Sequence, residues 1–307
     1  MLVGIPQGLL YWNYGDIIKS FLNELHIEFI ESPRTNRNIL DKGVNCCVDD
    51  ACLPVKIFHG HVDWLKDKCD FIMAPRVMQL KKGEFICPKF CGITEMIKNS
   101  IDGLPPLPEE PLYALSEKQR HQWFLYIGEL FGQKRKKIYE AYLKAMEENG
   151  RHILGFNEDN YEHKIALLGH PYNIYDTYCN MDVKKKFNKQ GIGVITEDYV
   201  DSNLVDREVD RLFKKPFWTF ARKNFGTAAV LYKQKQVDGF VYVSSFACGI
   251  DSVVIELVKE VIGTFPFMTL KIDEHTGEAG INTRIEAFSD MLKRRSANNG
   301  HKLSAFG

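Results

Sequence analysis

The 307-residue chain carries no surplus charge: Lys and Arg number 40, Asp and Glu number 40, and the formal net charge is 0. That balance excludes a bulk electrostatic affinity for nucleic acid or for an acidic membrane surface. No apolar run approaches the ~20 residues that a helix needs to cross a bilayer. The opening "MLVGIPQGLLYWNYGD" has no basic segment leading into an apolar one, so no secretory leader is expected and the expected location is cytoplasmic. The GxxxxGK[ST], GxGxxG and GxSxG patterns are all missing, which removes the usual phosphate-cradling loops and the serine-hydrolase elbow. Heptads and internal repeats are missing too.

What is present is a globular composition, 45% hydrophobic and 26% charged, long enough for two α/β lobes. Short apolar stretches predict strands at 2–6, 27–32, 70–75, 164–170, 191–197, 239–246 and 267–273. Helical periodicity is clearest at 14–25 and 252–262. Strands alternating with helices argue for mainly parallel, Rossmann-like sheets. "IDGLPPLPEEPL" (101–112) holds Pro105, Pro106, Pro108 and Pro111 and predicts an extended linker. A charged helical region comes next at 116–149, with an apolar face of Ile138, Tyr142, Leu143 and Met146 and a solvated run at 134–137. The expected domains are an N-terminal lobe at 1–105, a linker and helical segment at 106–150 and a C-terminal lobe at 151–292. The polar tail 293–307 is expected to be disordered.

Eight cysteines then need a reason. In a reducing compartment they are not expected to form structural disulfides. In "DDACLPVKIFHGHVDWL" (49–65), Cys52 lies beside His59 and His61, which suggests a local metal site. Pro54 opens a helix there, and each helical residue turns about 100°. His59 and His61 therefore point about 200° apart and cannot share a metal. Cys52 instead sits at a helix start, where backbone N–H groups and the helix dipole favour a thiolate. Cys87 in "FICPKFCGITEMIKN" and Cys248 in "VSSFACGIDSVVIELV" have the same local grammar. Cys248 also comes directly after a strand, at the sheet edge where open α/β folds bind ligands. Two readings stand. Either the three thiols converge on an iron–sulfur cluster with one iron left open, or they are unrelated buried cysteines. Cys91, one turn beyond Cys87, is a candidate extra ligand. Cys46, Cys47, Cys69 and Cys179 are weaker ones. "GHPYNIYD" (169–176) and "DEHTGEAG" (273–280) also lie just past strands. In the latter, Glu274, His275 and Glu278 are candidates for acid–base work or, equally, for capping a helix.

Taken together, "CLPVKIFHGHV", "ICPKFCGITEMI", "GHPYNIYD", "GIGVITED", "FACGIDSVV" and "KIDEHTGEAGINTRIEAF" resemble the 2-hydroxyacyl-CoA dehydratase D-component-like family. The nearest branch is the one associated with CoA-substrate-specific enzyme activases, and the resemblance runs over residues 2–292. It implies two Rossmann-like lobes and a [4Fe–4S] cluster in an interlobe cleft, held at the positions of Cys52, Cys87 and Cys248. Relatives with larger clusters also exist. The resemblance further implies a separate ATP-hydrolysing iron–sulfur activator as electron donor, a homo- or heterodimer, and a CoA thioester or other small molecule that is reduced or dehydrated. His59 or His61 would then be a supporting group. The alternatives are a non-catalytic electron-transfer or regulatory partner of an activase, and a cluster-free small-molecule binding module. No nucleic-acid or membrane partner is expected.

Overall fold

Each predicted strand forms, and every paired strand in the sheets is parallel. The computed structural model describes residues 1–149 and 154–304. The chain divides into two units, Met1–Leu154 with Phe217–Thr219, and Gly155–Pro216 with Phe220–Gly307. The expected boundary between helical segment and C-terminal lobe at 150/151, and the last residues of the tail at 305–307, lie outside the described residues.

The first unit begins with β1 (Val3–Ile5), α1 (Tyr11–Glu24), β2 (Phe29–Glu31), α2 (Arg37–Cys46), α3 (Leu53–Leu65) and β3 (Phe71–Ile72). These strands form a parallel sheet in the order β2-β1-β3. Because β1 is central, the chain crosses first to one side of it and then to the other. Helices α2 and α3 touch backbone to backbone. A Cβ on Gly43 would lie 1.9 Å from the Lys56 carbonyl oxygen, and one on Gly60 would lie 1.9 Å from that of Ile39. No other residue fits either position, and this contact seats the helix that begins after Cys52.

Next come β4 (Val77–Gln79), α4 (Pro88–Cys91), α5 (Ile93–Ser100), β5 (Leu112–Tyr113), α6 (Glu117–Leu130) and α7 (Arg135–Asn149). The β4–β5 pair is also parallel, and neither of these short strands is expected from the sequence. Ser116 caps α6 by accepting a hydrogen bond from the Gln119 N–H at 3.3 Å. The helical region 116–149 is split into two helices, because Gly132 adopts φ +70 at the break.

The segment 106–149 packs within the first unit, where a joining segment is expected from the sequence. Trp123, Phe124, Ile127, Ile138 and Tyr142 share one core with Val3, Ile17, Phe21 and Leu22. Burying each such side chain contributes about 1.5–3 kcal/mol, which an extended connector would forgo. Two details of the expected α7 face change. Leu143 is exposed, and Ala141 and Ala145 occupy the core side with Ile138. Within the basic run, Lys137 is partly buried and donates to the Leu25 carbonyl at 2.9 Å, closing the C-terminal end of α1.

The second unit contains β6 (His163–Gly169), α8 (Pro171–Ile174), α9 (Val183–Lys189), β7 (Ile192–Ile195), a 3-10 turn at Glu197–Tyr199, and α10 (Ser202–Asp210). It continues with α11 (Thr219–Lys233), β8 (Gly239–Ser245), α12 (Gly249–Ile262), β9 (Phe267–Ile272) and α13 (Glu278–Ser304). Its parallel sheet has the order β7-β6-β8-β9. Strand β8 is buried along its whole length, and Phe240, Val241, Tyr242 and Val243 are each 0% exposed. That is the pattern of a parallel strand covered on both faces. The expected irregular tail is instead helical as far as Ser304. The stretch after 292 contains Lys, Arg and Ala but no proline, so local propensity lets α13 continue. Among the described residues, no helix is long and apolar enough to cross a membrane.

Candidate functional site

In the second unit the direction of crossover reverses between β6 and β8. In open parallel sheets that reversal leaves a crevice at the carboxyl ends of the two strands. Strand β6 ends at Gly169, which adopts φ +148; a Cβ there would lie 2.5 Å from the Val243 carbonyl oxygen on β8. The Asn224 side chain in α11 fixes this strand end. It accepts from the Gly169 N–H at 2.7 Å and donates to the Gly169 carbonyl at 3.2 Å. His170 is the next residue, and Pro171 then opens α8. The His170 ring is buried, stacked on Tyr172 at 5.0 Å and edge-on to Phe220 at 5.5 Å.

Strand β8 ends at Ser245. The turn into α12 passes through Ala247 at φ 60, a left-handed conformation that costs a non-glycine residue about 1–2 kcal/mol. Cys248 then occupies the N-cap of α12, and its side chain makes no capping bond to that helix. Its thiol faces His170 instead. One ligand atom each from His170, Cys248 and Asp251 lie within 4.8 Å of one another. Asp251, in the first turn of α12, is fully buried. Its Oδ1 lies 3.0 Å from His170 Nε2 and accepts from the Tyr242 hydroxyl at 2.9 Å. The histidine–aspartate contact is a close charged pair, with Cys248 and Ser244 alongside, and His170 Nδ1 and Asp251 Oδ2 have no well-aligned protein hydrogen bond. Two buried polar side chains thus present unused ligand atoms beside a half-buried thiol. A buried polar atom without a protein partner is matched by a water, an ion or a ligand, or belongs to a strained functional site.

The charges are set by these neighbours. Burial opposes a proton on His170, but the Asp251 carboxylate outweighs it, with Cys248 acting in the same direction. The imidazole is held well above its usual range. Burial likewise opposes ionisation of Asp251, and His170 reverses that, so the carboxyl stays below its usual value. Burial and the Asp251 charge both push the Tyr242 phenol upward, so it remains a donor. Glu197 is pushed up by burial against the pull of Lys223.

Cys52 and Cys87, both in the first unit, are half-buried N-caps of α3 and α4. Each thus sits at a helix start, as its sequence suggests. Cys47 lies near Cys52; burial pushes its thiol up, and the Cys52 charge acts the same way. Cys91 ends α4, and its thiol is also raised by burial. Cys179 is buried beside Asn173. No disulfide forms among the described residues.

The two histidines of α3 go separate ways, as the helical geometry requires. His59 bonds the Val55 carbonyl at 2.8 Å, while His61 lies between the hydroxyls of Ser32 at 2.9 Å and Thr35 at 3.1 Å. Both are fully buried. In the "DEHTGEAG" turn, Asp273 Oδ1 accepts from the His275 N–H at 2.9 Å and from the Thr276 hydroxyl at 2.7 Å. Glu278 is exposed at the start of α13 and pairs with Lys186. Glu274 is half-buried and His275 exposed. This geometry is that of a helix entry.

Sequence patterns alone do not single out His170, Asp251 or Tyr242. His170 had a signal: it precedes a proline after a strand, much as Cys87 precedes Pro88 after an apolar stretch. Asp251 looks like an ordinary acidic residue in a first helical turn.

The sequence matches the family described as "CoA enzyme activase uncharacterised domain (DUF2229)" over residues 2–200. The chain belongs to this family. The match includes Cys52, Cys87 and His170, while Cys248 and Asp251 lie beyond it. No curated protein matches the chain. Among solved structures it is similar to a mutant of a Mn-bound periplasmic metal binding protein from Candidatus Liberibacter asiaticus, at 9% identity and TM-score 0.29, covering 95% of this chain and 100% of the other. The metal-free form of that protein matches at 10% identity and TM-score 0.29, covering 95% and 99%. Likeness that low carries no argument about function.

Proposed function

We propose that this member of the activase-linked family is an iron–sulfur redox protein of the 2-hydroxyacyl-CoA dehydratase type, with Cys52, Cys87 and Cys248 as ligands of a [4Fe–4S] cluster. The observation that carries the reading is the Cys248 thiol, at a helix N-cap, against a buried His170–Asp251 pair with unused polar atoms. Such a cluster, when bound, exchanges single electrons. The chain's own groups suit that task. The N-terminus of α12 supports negative charge beside Cys248. The His170 cation adds to it, and Asp251 holds the ring in place with the help of Tyr242. Tyr172 and Phe220 cover the imidazole and keep water from it. The electrons would come from a separate ATP-hydrolysing iron–sulfur activator and reduce or dehydrate a small substrate such as a CoA thioester.

The same triad favours a second reading, a single borderline-soft ion held by His170, Cys248 and Asp251, a mixed N, S, O donor set that suits zinc or iron. Anaerobic reconstitution with iron and sulfide separates the two. The cluster reading predicts bound iron with acid-labile sulfide, both lost in Cys52→Ala and in Cys87→Ala. Metal retained without sulfide, and unchanged in those two variants, would establish the single-ion reading instead.

A further inference from the structure

The first unit repeats the topological situation of the second, and its crevice has a different lining. In the order β2-β1-β3 the reversal falls between β1 and β3. A cavity of about 250 Å³ opens there, lined by residues just beyond β1 (Pro6, Leu9) and β3 (Pro75), together with Phe58 and Trp123. Leu9 adopts φ 50, so the turn after β1 holds a bulky residue in a left-handed conformation at the cavity wall. An apolar cavity of about 150 Å³ already accepts a benzene ring, and drug-sized pockets begin near 300 Å³. This cavity therefore suits a small apolar body rather than a cofactor.

One charged side chain joins the lining. Arg120, from α6, contributes to the wall. Its Nη1 donates to the Ala114 carbonyl at 3.1 Å, and its Nε is buried without a hydrogen-bond partner. No carboxylate pairs with this guanidinium among the described residues. Arg120 is half-buried, and an anionic acceptor with a hydrocarbon remainder would match both its buried N–H and the apolar cavity beside it.

We infer that the first unit binds a small monocarboxylate with an apolar tail, its carboxylate on Arg120 and its tail in the cavity between the ends of β1 and β3. This site uses none of the residues assigned to the cluster and is independent of that reading. Titration of the full-length protein as purified with sodium octanoate, monitored by calorimetry and tryptophan fluorescence, tests it, because Trp123 is in the wall. The expected result is saturable one-to-one binding, tighter than that of octan-1-ol by about tenfold or more, as one charge-assisted bond is worth. Acetate, which lacks the tail, should bind far more weakly. Arg120→Gln should remove the advantage of octanoate over octan-1-ol, and Ala114→Leu, which fills the lining, should weaken both. Absence of saturable octanoate binding to the wild-type protein, or equal affinity for octanoate and octan-1-ol, would overturn the proposal without recourse to any variant.

Discussion

The sheets β2-β1-β3 and β7-β6-β8-β9 share the connectivity of their first three strands and differ in the residues just beyond those strands. After β1 the chain reads Pro6, Gln7, Gly8, Leu9, and the crevice between β1 and β3 is an apolar cavity with a single guanidinium in its wall. Beyond β6 and β8 stand His170 and Cys248, and that crevice holds an ion pair and a thiol. Topology fixes where a ligand goes. The few residues beyond each strand decide whether that place is greasy or charged.

The buried histidines of the two units make the same point. His61 in the first unit and His170 in the second are both almost fully buried. Against two hydroxyls, burial pushes His61 down to about 3. Against a carboxylate, His170 moves the other way. Burial penalises charge in both, and only the partner differs.

The contrast is most easily broken at Gly169. Gly169→Val places a side chain against the Val243 carbonyl at an unfavourable φ, and we expect it to cost about 4 kcal/mol or more. Urea denaturation should show that loss as a lowered midpoint. Asp251→Ala should cost about 3 kcal/mol, because it removes one partner of a buried ion pair and the Tyr242 acceptor. Asp251→Asn should recover part of it by keeping an acceptor for Tyr242.

His61 gives the next effect. Its folded pKa lies below the ordinary value, so the unfolded chain binds the extra proton first as pH falls. The stability that neutral His61 contributes is complete above about pH 6.5 and declines toward pH 3. The slope should approach about 1.4 kcal/mol per pH unit. Chemical denaturation from pH 7 downward checks this, and His61→Gln should flatten the slope. The smallest effect is expected at Ala247, where glycine relieves a left-handed conformation. Ala247→Gly should stabilise by about 1 kcal/mol or less and should leave the position of Cys248 unaltered.

Much of this fold is legible in the sequence because parallel strands buried on both faces read as short apolar runs. "KIALLGH" and "GFVYVSSF" are of that kind. Strands β4 and β5 are not legible, since two or three residues cannot show a period and Pro111 adjoins the latter. The helix starts at Cys52, Cys87 and Cys248 are legible from local grammar, and so is the divergence of His59 and His61. The partnership of His170 with Asp251 is not. It joins the ends of two strands far apart in sequence, and either residue alone passes for an ordinary turn or helix-start residue. The packing of 106–149 into the first unit is hidden behind its prolines and charges, although Trp123, Phe124 and Ile127 lie on one buried face.

The cluster proposal stands on Cys248, placed against His170 and Asp251, as a ligand. Iron and acid-labile sulfide, measured in anaerobically reconstituted wild-type protein and in Cys248→Ala, test it most directly. We expect about four of each per wild-type chain and a large loss of both in the variant. Wild-type protein that takes up neither, or a Cys248→Ala variant that retains the full complement, would contradict it.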